Sequence, residues 1–271
     1  MRSGHSIAVV VPAFNEAERV ARVVTRIPGW VDLIVVVDDG SRDATAQAVD
    51  EADRRGRTVV VRHGENRGVG AAIVTGYREA AAAGADVVAV MAGDDQMDPA
   101  DLAAVVSPVV AGRAAYVKGN RFLHAERRQM PFARRIAGRV LALFTRIATG
   151  LVIDDSQCGY TALSARAARA LPLDDLWPRY GYPNDLLGML AAQRLPVLEV
   201  PVRPVYAGER SGVRPWHALV VAIIIARRWL KSRRHGRAES APFAPAPSSF
   251  SGYVRGRNAP VAAVTTRWRA R

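Results

Sequence analysis

Over its first 120 residues the chain switches regularly between two kinds of segment. Apolar, β-branched runs fall at 6–11, 32–37, 58–62, 86–91 and 115–118, and helix-like stretches lie between them at 16–27, 43–55, 69–83 and 99–111. Alternation at this spacing predicts βαβ units and a mainly parallel sheet, an α/β fold. In open sheets of that kind ligands sit at the carboxyl ends of the strands, so those ends are where chemistry is expected. They read P-A-F-N-E (12–16), D-D-G-S-R-D-A-T (38–45), H-G-E-N-R-G-V-G-A-A (63–72), A-G-D-D-Q-M-D-P (92–99) and K-G-N-R (118–121). Four of the five carry carboxylate, amide or Arg groups, and the other supplies Gly-rich backbone.

Further along, the pattern changes. At 133–153, Ile136, Val140, Leu143, Phe144, Ile147 and Leu151 recur at three and four, with Arg135, Arg139 and Arg146 on the polar side. A helix facing the core and a helix lying on a membrane interface both produce this stripe; the Arg content favours the second. The apolar run 218–226 is nine residues long and flanked by Arg227 and Arg228, short of the roughly 18–20 residues a spanning helix needs. From 236 onward Pro, Ala, Ser and Gly dominate, no periodicity survives, and the segment is expected to be disordered. The expected organisation is a catalytic domain over 1–215, a short apolar and basic interfacial helix over 216–235, and a basic tail over 236–271.

Composition narrows the function. With 49% hydrophobic residues the 271-residue chain can build a sizeable core. A lone cysteine, Cys158, excludes an intrachain disulfide and any Cys-rich zinc site, and fits a reducing cytoplasm. The first apolar stretch ends in Pro and Asn-Glu, which reads as a strand rather than a signal peptide. The net charge of +13 is concentrated: residues 227–271 hold eleven Lys/Arg against Glu239, and 121–146 hold seven Arg against Glu126. Two basic zones on an otherwise near-neutral chain point to a polyanion such as phosphates or an anionic membrane. Nucleic acid is disfavoured, because no aromatic stacking array accompanies the arginines.

The motifs are unequal in weight. G-V-G-A-A-I (68–73) lacks the third Gly of a dinucleotide fingerprint and follows the third strand, so it reads as a tight turn whose helix N-terminus faces a ligand. In D-D-G-S-R-D-A-T, Ser41 or Asp43 can cap the next helix, leaving Asp38 or Asp39 for a nucleobase edge or a ribose. In A-G-D-D-Q-M-D-P, Asp98 and Pro99 start a helix, while Asp94 and Gln96 alternate by two and can face one divalent ion. Such an ion takes one or two protein oxygens plus substrate phosphates.

Together with V-V-V-P-A-F-N-E (9–16), D-S-Q-C-G-Y (155–160) and E-V-P-V (199–202), these pieces make the chain resemble glycosyltransferase family 2, within it the dolichyl- or polyprenyl-phosphate sugar synthases. The resemblance spans about residues 6–215. It implies a GT-A fold, a nucleotide-sugar donor of the GDP-mannose or UDP-glucose type, Mg²⁺ or Mn²⁺, and a polyprenyl-phosphate acceptor met peripherally on the cytoplasmic membrane face. On that resemblance Pro12, Ala13, Asn15 and Glu16 line the nucleotide pocket and Asp38 and Asp39 hold the base. Asp94 and Gln96 bind metal beside Gly93, and Arg121 lies near the donor or acceptor phosphate. Arg210 or Arg214 closes over the site.

One departure stands out. The first Asp of the family's D-x-D is Ala92 here, with Asp95 as the carboxylate that can compensate. Asp155 and Asp185 are the acids expected to serve as base if the acceptor is a sugar hydroxyl, whose proton needs a destination. A transferase acting on a glycan or small-molecule hydroxyl, and a catalytically inactive nucleotide-sugar or polyanion-binding protein, are the alternatives.

Overall fold

The computed structural model describes residues 4–53, 55–205, 222–224 and 226–228. The expected segments at 216–235 and 236–271, together with Arg210 and Arg214, therefore lie outside the described residues except for those last two short helical pieces. Five strands and four helices alternate as the pattern predicts: β1 (Ile7–Ala13), α1 (Ala17–Arg26), β2 (Leu33–Asp38), α2 (Thr45–Ala52), β3 (Thr58–Arg62), α3 (Val69–Ala82), β4 (Val87–Val90), α4 (Leu102–Val110) and β5 (Tyr116–Asn120). After them come α5 (Phe132–Thr149), β6 (Thr161–Ser164), α6 (Ala165–Ala170), α7 (Tyr182–Ala192) and β7 (Val197–Pro201).

The strands form one sheet in the order β3-β2-β1-β4-β6-β5-β7. β1 pairs in parallel with both β2 and β4, and β6 runs antiparallel to both of its neighbours. Every residue of β1 is buried, as a central strand covered on both faces requires. Its alternation divides the interior. Ala8 and Val10 join Val35, Val37 and the helices α3 and α7 on one face, while Ile7, Val9 and Val11 join Ile34, Val36 and the helices α1 and α4 on the other. Helix α3 rides unusually close to the sheet, since a Cβ on Gly76 would stand 2.2 Å from Val10 Cγ1.

The chain turns to opposite sides of β1 to reach β2 and β4, so the crevice at the carboxyl end of β1 is a topological switch point. Backbone hydrogen bonds hold its walls together: Asp39 N–H donates to Ala13 O (2.9 Å) and Gly93 N–H to Pro12 O (3.1 Å). The loops after β2 and β4 are thereby fastened to the end of the same strand.

Candidate active site

Two cavities open at this sheet edge. The larger, 690 Å³, is lined by Phe14, Asn15, Ser41, Arg42 and the segment Arg62–Asn66. Its shape comes from reciprocal bonds between the loops after β1 and β2. Asn15, held at φ 55°, donates its N–H to Ser41 Oγ (2.9 Å) and accepts from Arg42 N–H on Oδ1 (3.0 Å). Asp43 accepts from Ala17 N–H (3.2 Å) and from Thr45 N–H (3.1 Å), so one carboxylate serves the start of α1 and of α2. Its slight burial pushes its pKa up, and the bonds from Thr45 and Ala17 outweigh this and leave it below the ordinary value. Gly40 is obligatory at the rim: it sits at φ 78°, and a Cβ there would come within 2.5 Å of Glu65 carbonyl carbon.

The smaller cavity, about 70 Å³, brings together Asp94, Gln96, Met97, Arg121, Cys158, Gly159, Tyr160, Val202, Arg203 and Val205. Asp94 Oδ1 accepts from Gln96 N–H (3.1 Å), which fixes the loop so that both side chains border one space. Asp98 caps the following 3-10 turn by accepting from Ala100 N–H (3.0 Å), with Pro99 next in line, as the sequence predicts. Two oxygen donors beside an Arg suit a hard divalent ion whose other ligands come from a diphosphate and water. Among the described residues no group of three or more His, Cys, Asp or Glu gathers around a common point, so a site complete without substrate is absent there.

Arg121 is held from behind. Asp155, fully buried, accepts from Arg121 Nε (2.8 Å), Nη2 (2.9 Å) and backbone N–H (3.1 Å). Burial pushes the Asp155 pKa up, but the Arg121 guanidinium overrides it and holds the carboxyl below its ordinary value. Beneath them Lys118, also fully buried, donates its ammonium to Cys158 O, and burial lowers its pKa against the pull of Asp155 and Glu199. Nothing in the composition distinguishes this lysine from a surface one; its place in the K-G-N-R strand is the only sequence sign.

Several expected site residues fall elsewhere. Of the four on the first loop, Asn15 borders the large cavity, whereas Pro12 and Ala13 are buried in β1 and Glu16 pairs with Arg19 (3.1 Å). Asp38 and Asp39 both have protein partners. Asp38 accepts from Ser41 N–H (2.8 Å) and Arg62 Nε (3.0 Å), and Asp39 from Gly68 N–H (2.7 Å), Arg67 N–H (3.0 Å) and His63 Nδ1 (2.6 Å). The N-terminus of α3 faces protein rather than ligand: Ala71 N–H donates to Pro178 O (3.1 Å), and a Cβ on Gly70 would stand 2.3 Å from Trp177 O. Ser41 caps no helix, being engaged with Asn15.

Asp95 does not compensate for Ala92. At φ 61° it turns back to α1, where Arg26 (2.8 Å) and Arg22 (3.4 Å) take its carboxylate. Asp185 is not among the residues that line either cavity. It is fully buried and accepts from Trp177 N–H (2.8 Å) and from Arg228 (2.5 and 2.9 Å), which ties the chain after residue 222 to α7. The residues that sequence reasoning passed over are Phe14, Arg62, His63 and Asn66 in the large cavity and Tyr160 and Arg203 in the small one; only their position at strand ends could have signalled them.

Helix α5 resolves the ambiguity of its stripe. Ile136, Val140, Leu143, Phe144 and Ile147 are 46–73% exposed, while its buried side is made of Ala142 and Thr145. Thr145 hydroxyl reaches Asn184 Oδ1 of α7 (2.8 Å), so the small, polar face packs inward and the large apolar face points out. The helix ends at Gly150, in the left-handed region at φ 72°, whose N–H donates to Arg146 O (2.8 Å). Its first turns adjoin the small cavity, because Phe122, next to Arg121, packs its ring on Gly138 (3.0 Å to a Cβ there) and under Arg139 (5.6 Å). Arg121 and Arg134 both act on the Tyr180 phenol, whose burial pushes its pKa up against their pull.

A seven-stranded, mostly parallel sheet with an acidic loop at its switch point is the architecture of the GT-A glycosyltransferases. The chain belongs to glycosyl transferase family 2, whose profile matches residues 8–157, and it is a glycosyltransferase. It is 29% identical over 215 residues to the UDP-N-acetylglucosamine–dolichyl-phosphate N-acetylglucosaminyltransferase of Methanococcus voltae, covering 74% of this chain and 86% of that one. It is 28% identical over 201 residues to the undecaprenyl-phosphate mannosyltransferase of Micrococcus luteus, covering 72% and 82%. Among solved structures, glucosyl-3-phosphoglycerate synthase from Mycobacterium tuberculosis, crystallised with Mn²⁺, UDP-glucose and phosphoglyceric acid, superposes with a TM-score of 0.65 at 24% identity over 84% of this chain and 81% of that one. The last likeness bears on the fold alone.

Proposed function

We propose that this glycosyltransferase moves a hexose from a nucleotide sugar to a polyprenyl phosphate, with inversion, while lying on the cytoplasmic face of an anionic membrane. The observation that carries the reading is the outward apolar stripe of α5, the helix on whose Gly138 packs the ring of Phe122, the residue after Arg121. Five half-exposed large side chains offer about 5 kcal/mol of burial to an acyl boundary, at roughly 1 kcal/mol each for the part still in water. Arg127, Arg128, Arg134, Arg135, Arg139 and Arg146 surround it, and each basic residue near an anionic surface adds about 1 kcal/mol. No helix among the described residues is long and apolar enough to cross the bilayer, so the stripe suits lying on the surface. The names of both relatives, a dolichyl-phosphate N-acetylglucosaminyltransferase and an undecaprenyl-phosphate mannosyltransferase, support the same acceptor.

In this reading the large cavity takes the nucleoside and the small one the diphosphate. Asp94 and Gln96 would hold Mg²⁺ or Mn²⁺, and that ion would supply positive charge to a leaving diphosphate. Arg121 and Arg134 orient phosphate oxygens, and Asn15 and Ser41 shape the base pocket. The acceptor phosphate oxygen attacks the anomeric carbon as the carbon–oxygen bond to the diphosphate breaks. A lipid phosphate is largely ionised at neutral pH, its second pKa lying near ~6, so no general base is required. That suits a site in which Asp155 is committed to Arg121, and Asp185 to Arg228 and Trp177.

The test is transfer of label from a panel of radiolabelled nucleotide sugars into organic-extractable polyprenyl phosphate, with Mg²⁺ or Mn²⁺. Labelled lipid from one donor is the expected result. Label found only in water-soluble glycans would replace the lipid acceptor with a hydroxyl one. Flotation with vesicles containing anionic lipid completes it: Phe144→Glu with Ile147→Glu is expected to cut binding at least tenfold, with the folded chain unharmed, because both side chains are exposed.

A further inference from the structure

Glu199, on β7, is far from the reacting atoms by sequence, yet three of its bonds converge on the bend that carries Arg121. Its Oε1 accepts from Asp155 N–H (2.8 Å), and its Oε2 from Asp154 N–H (2.9 Å) and Asn120 Nδ2 (2.8 Å). Asn120, held in this way, turns its own Oδ1 to Phe122 N–H (2.8 Å) and Leu123 N–H (3.2 Å), which sets the bend immediately after Arg121. Asp155, its backbone held by the same carboxylate, clamps the Arg121 guanidinium through two side-chain bonds. Strand pairing delivers Glu199 to this place, since β7 lies parallel to β5 with Lys118 opposite Glu199.

We propose that Glu199 is a positioning residue of the transfer reaction: through Asn120 and the Asp154–Asp155 backbone it fixes both the turn bearing Arg121 and the carboxylate that aims its guanidinium into the cavity of Asp94 and Gln96. The role rests on the function proposed above, in which Arg121 meets phosphate. It also assigns Asp155 to orientation instead of proton transfer. A carboxylate with three donors already satisfied does its work on geometry, and a misplacement of about 1 Å at such a site can cost on the order of a hundredfold in rate.

A double-mutant cycle in kcat separates this role from a structural one. Glu199→Gln removes one acceptor oxygen from the three donors, and is expected to lower kcat about tenfold. Arg121→Ala is expected to lower it by about three orders of magnitude. The pair together is expected to match Arg121→Ala within about threefold, because a support has nothing to act on once its Arg is gone. Asp155→Asn repeats the cycle should Glu199→Gln fail to fold, and the folded fraction is read from the melting curve in each case. Losses that multiply, or a Glu199→Gln loss explained by the unfolded fraction alone, overturn the positioning role while the transferase reading stands. Absence of transfer by the unaltered chain overturns the function, and the role with it.

Discussion

Two parallel strands of this sheet, β2 and β4, are each followed by a pair of aspartates, directly at the end of β2 and in the loop beyond β4, and the pairs meet different fates. At the end of β2, Asp38 and Asp39 are both engaged by the protein: five donors from Ser41, Arg62, His63, Arg67 and Gly68 reach them. At the end of β4 the pair divides, with Asp94 bordering the cavity it shares with Gln96 and Arg121, and Asp95 turned away to Arg22 and Arg26. An acidic doublet at a strand end is thus a statement about charge, not about purpose. What decides its use is which donors the neighbouring elements bring. The β3 loop folds back over β2 and supplies backbone N–H groups to Asp39, whereas α1 reaches only far enough to take Asp95.

Substitution of each aspartate by asparagine, which keeps the shape and removes the charge, grades the four. The largest effect is expected for Asp94→Asn: transfer falls by at least ~100-fold in the labelled-lipid assay, with stability within about 0.5 kcal/mol of the unaltered chain. Next comes Asp39→Asn, expected to lower unfolding free energy by about 2 kcal/mol in urea titration, since a buried acceptor of three bonds is converted in part to a donor. A transition midpoint unchanged in urea would show that Asp39 is not the structural residue its bonds describe. Asp38→Asn is expected to cost about 1 kcal/mol, because its partner Arg62 is 60% exposed and shares the bond with water. Smallest is Asp95→Asn, where the partners Arg22 and Arg26 are 59% and 49% exposed: about 0.5 kcal/mol in stability and less than a twofold change in transfer are expected. If Asp95→Asn instead abolished transfer, the β4 doublet would be working as a pair and the contrast with β2 would collapse.

The absent carboxylate at position 92 belongs to the same contrast. Ala92 donates its N–H to Met97 Sδ (3.3 Å), and its methyl side chain offers no acceptor of its own.

The alternation of β-branched runs with helical stretches was enough, without coordinates, to place nine consecutive elements, because hydrophobic periodicity distinguishes a strand from a helix. It also drew attention to the strand ends and to the alternating pair Asp94 and Gln96 on one loop, since spacing by two along an extended segment is a local property. An amphipathic helix was legible for the same reason, expected over 133–153 where the structure has Phe132–Thr149 and ends it at Gly150. The direction of its stripe was not. Periodicity shows that α5 has an apolar face; only the packing of Ala142 and Thr145 against α7 decides that this face looks outward. The same limit explains Asp155, Asp185, Asp38 and Asp39, four acids whose charge was visible and whose partners lie 8 to 43 residues away apart from the local Ser41 and Gln157 contacts. Lys118 and Glu199 came to stand opposite each other by strand pairing between β5 and β7. Local sequence determines which groups exist and which side of an element they occupy. A carboxylate's role depends on the donors within about 3 Å of it, and for these residues only the folded chain brings those donors near.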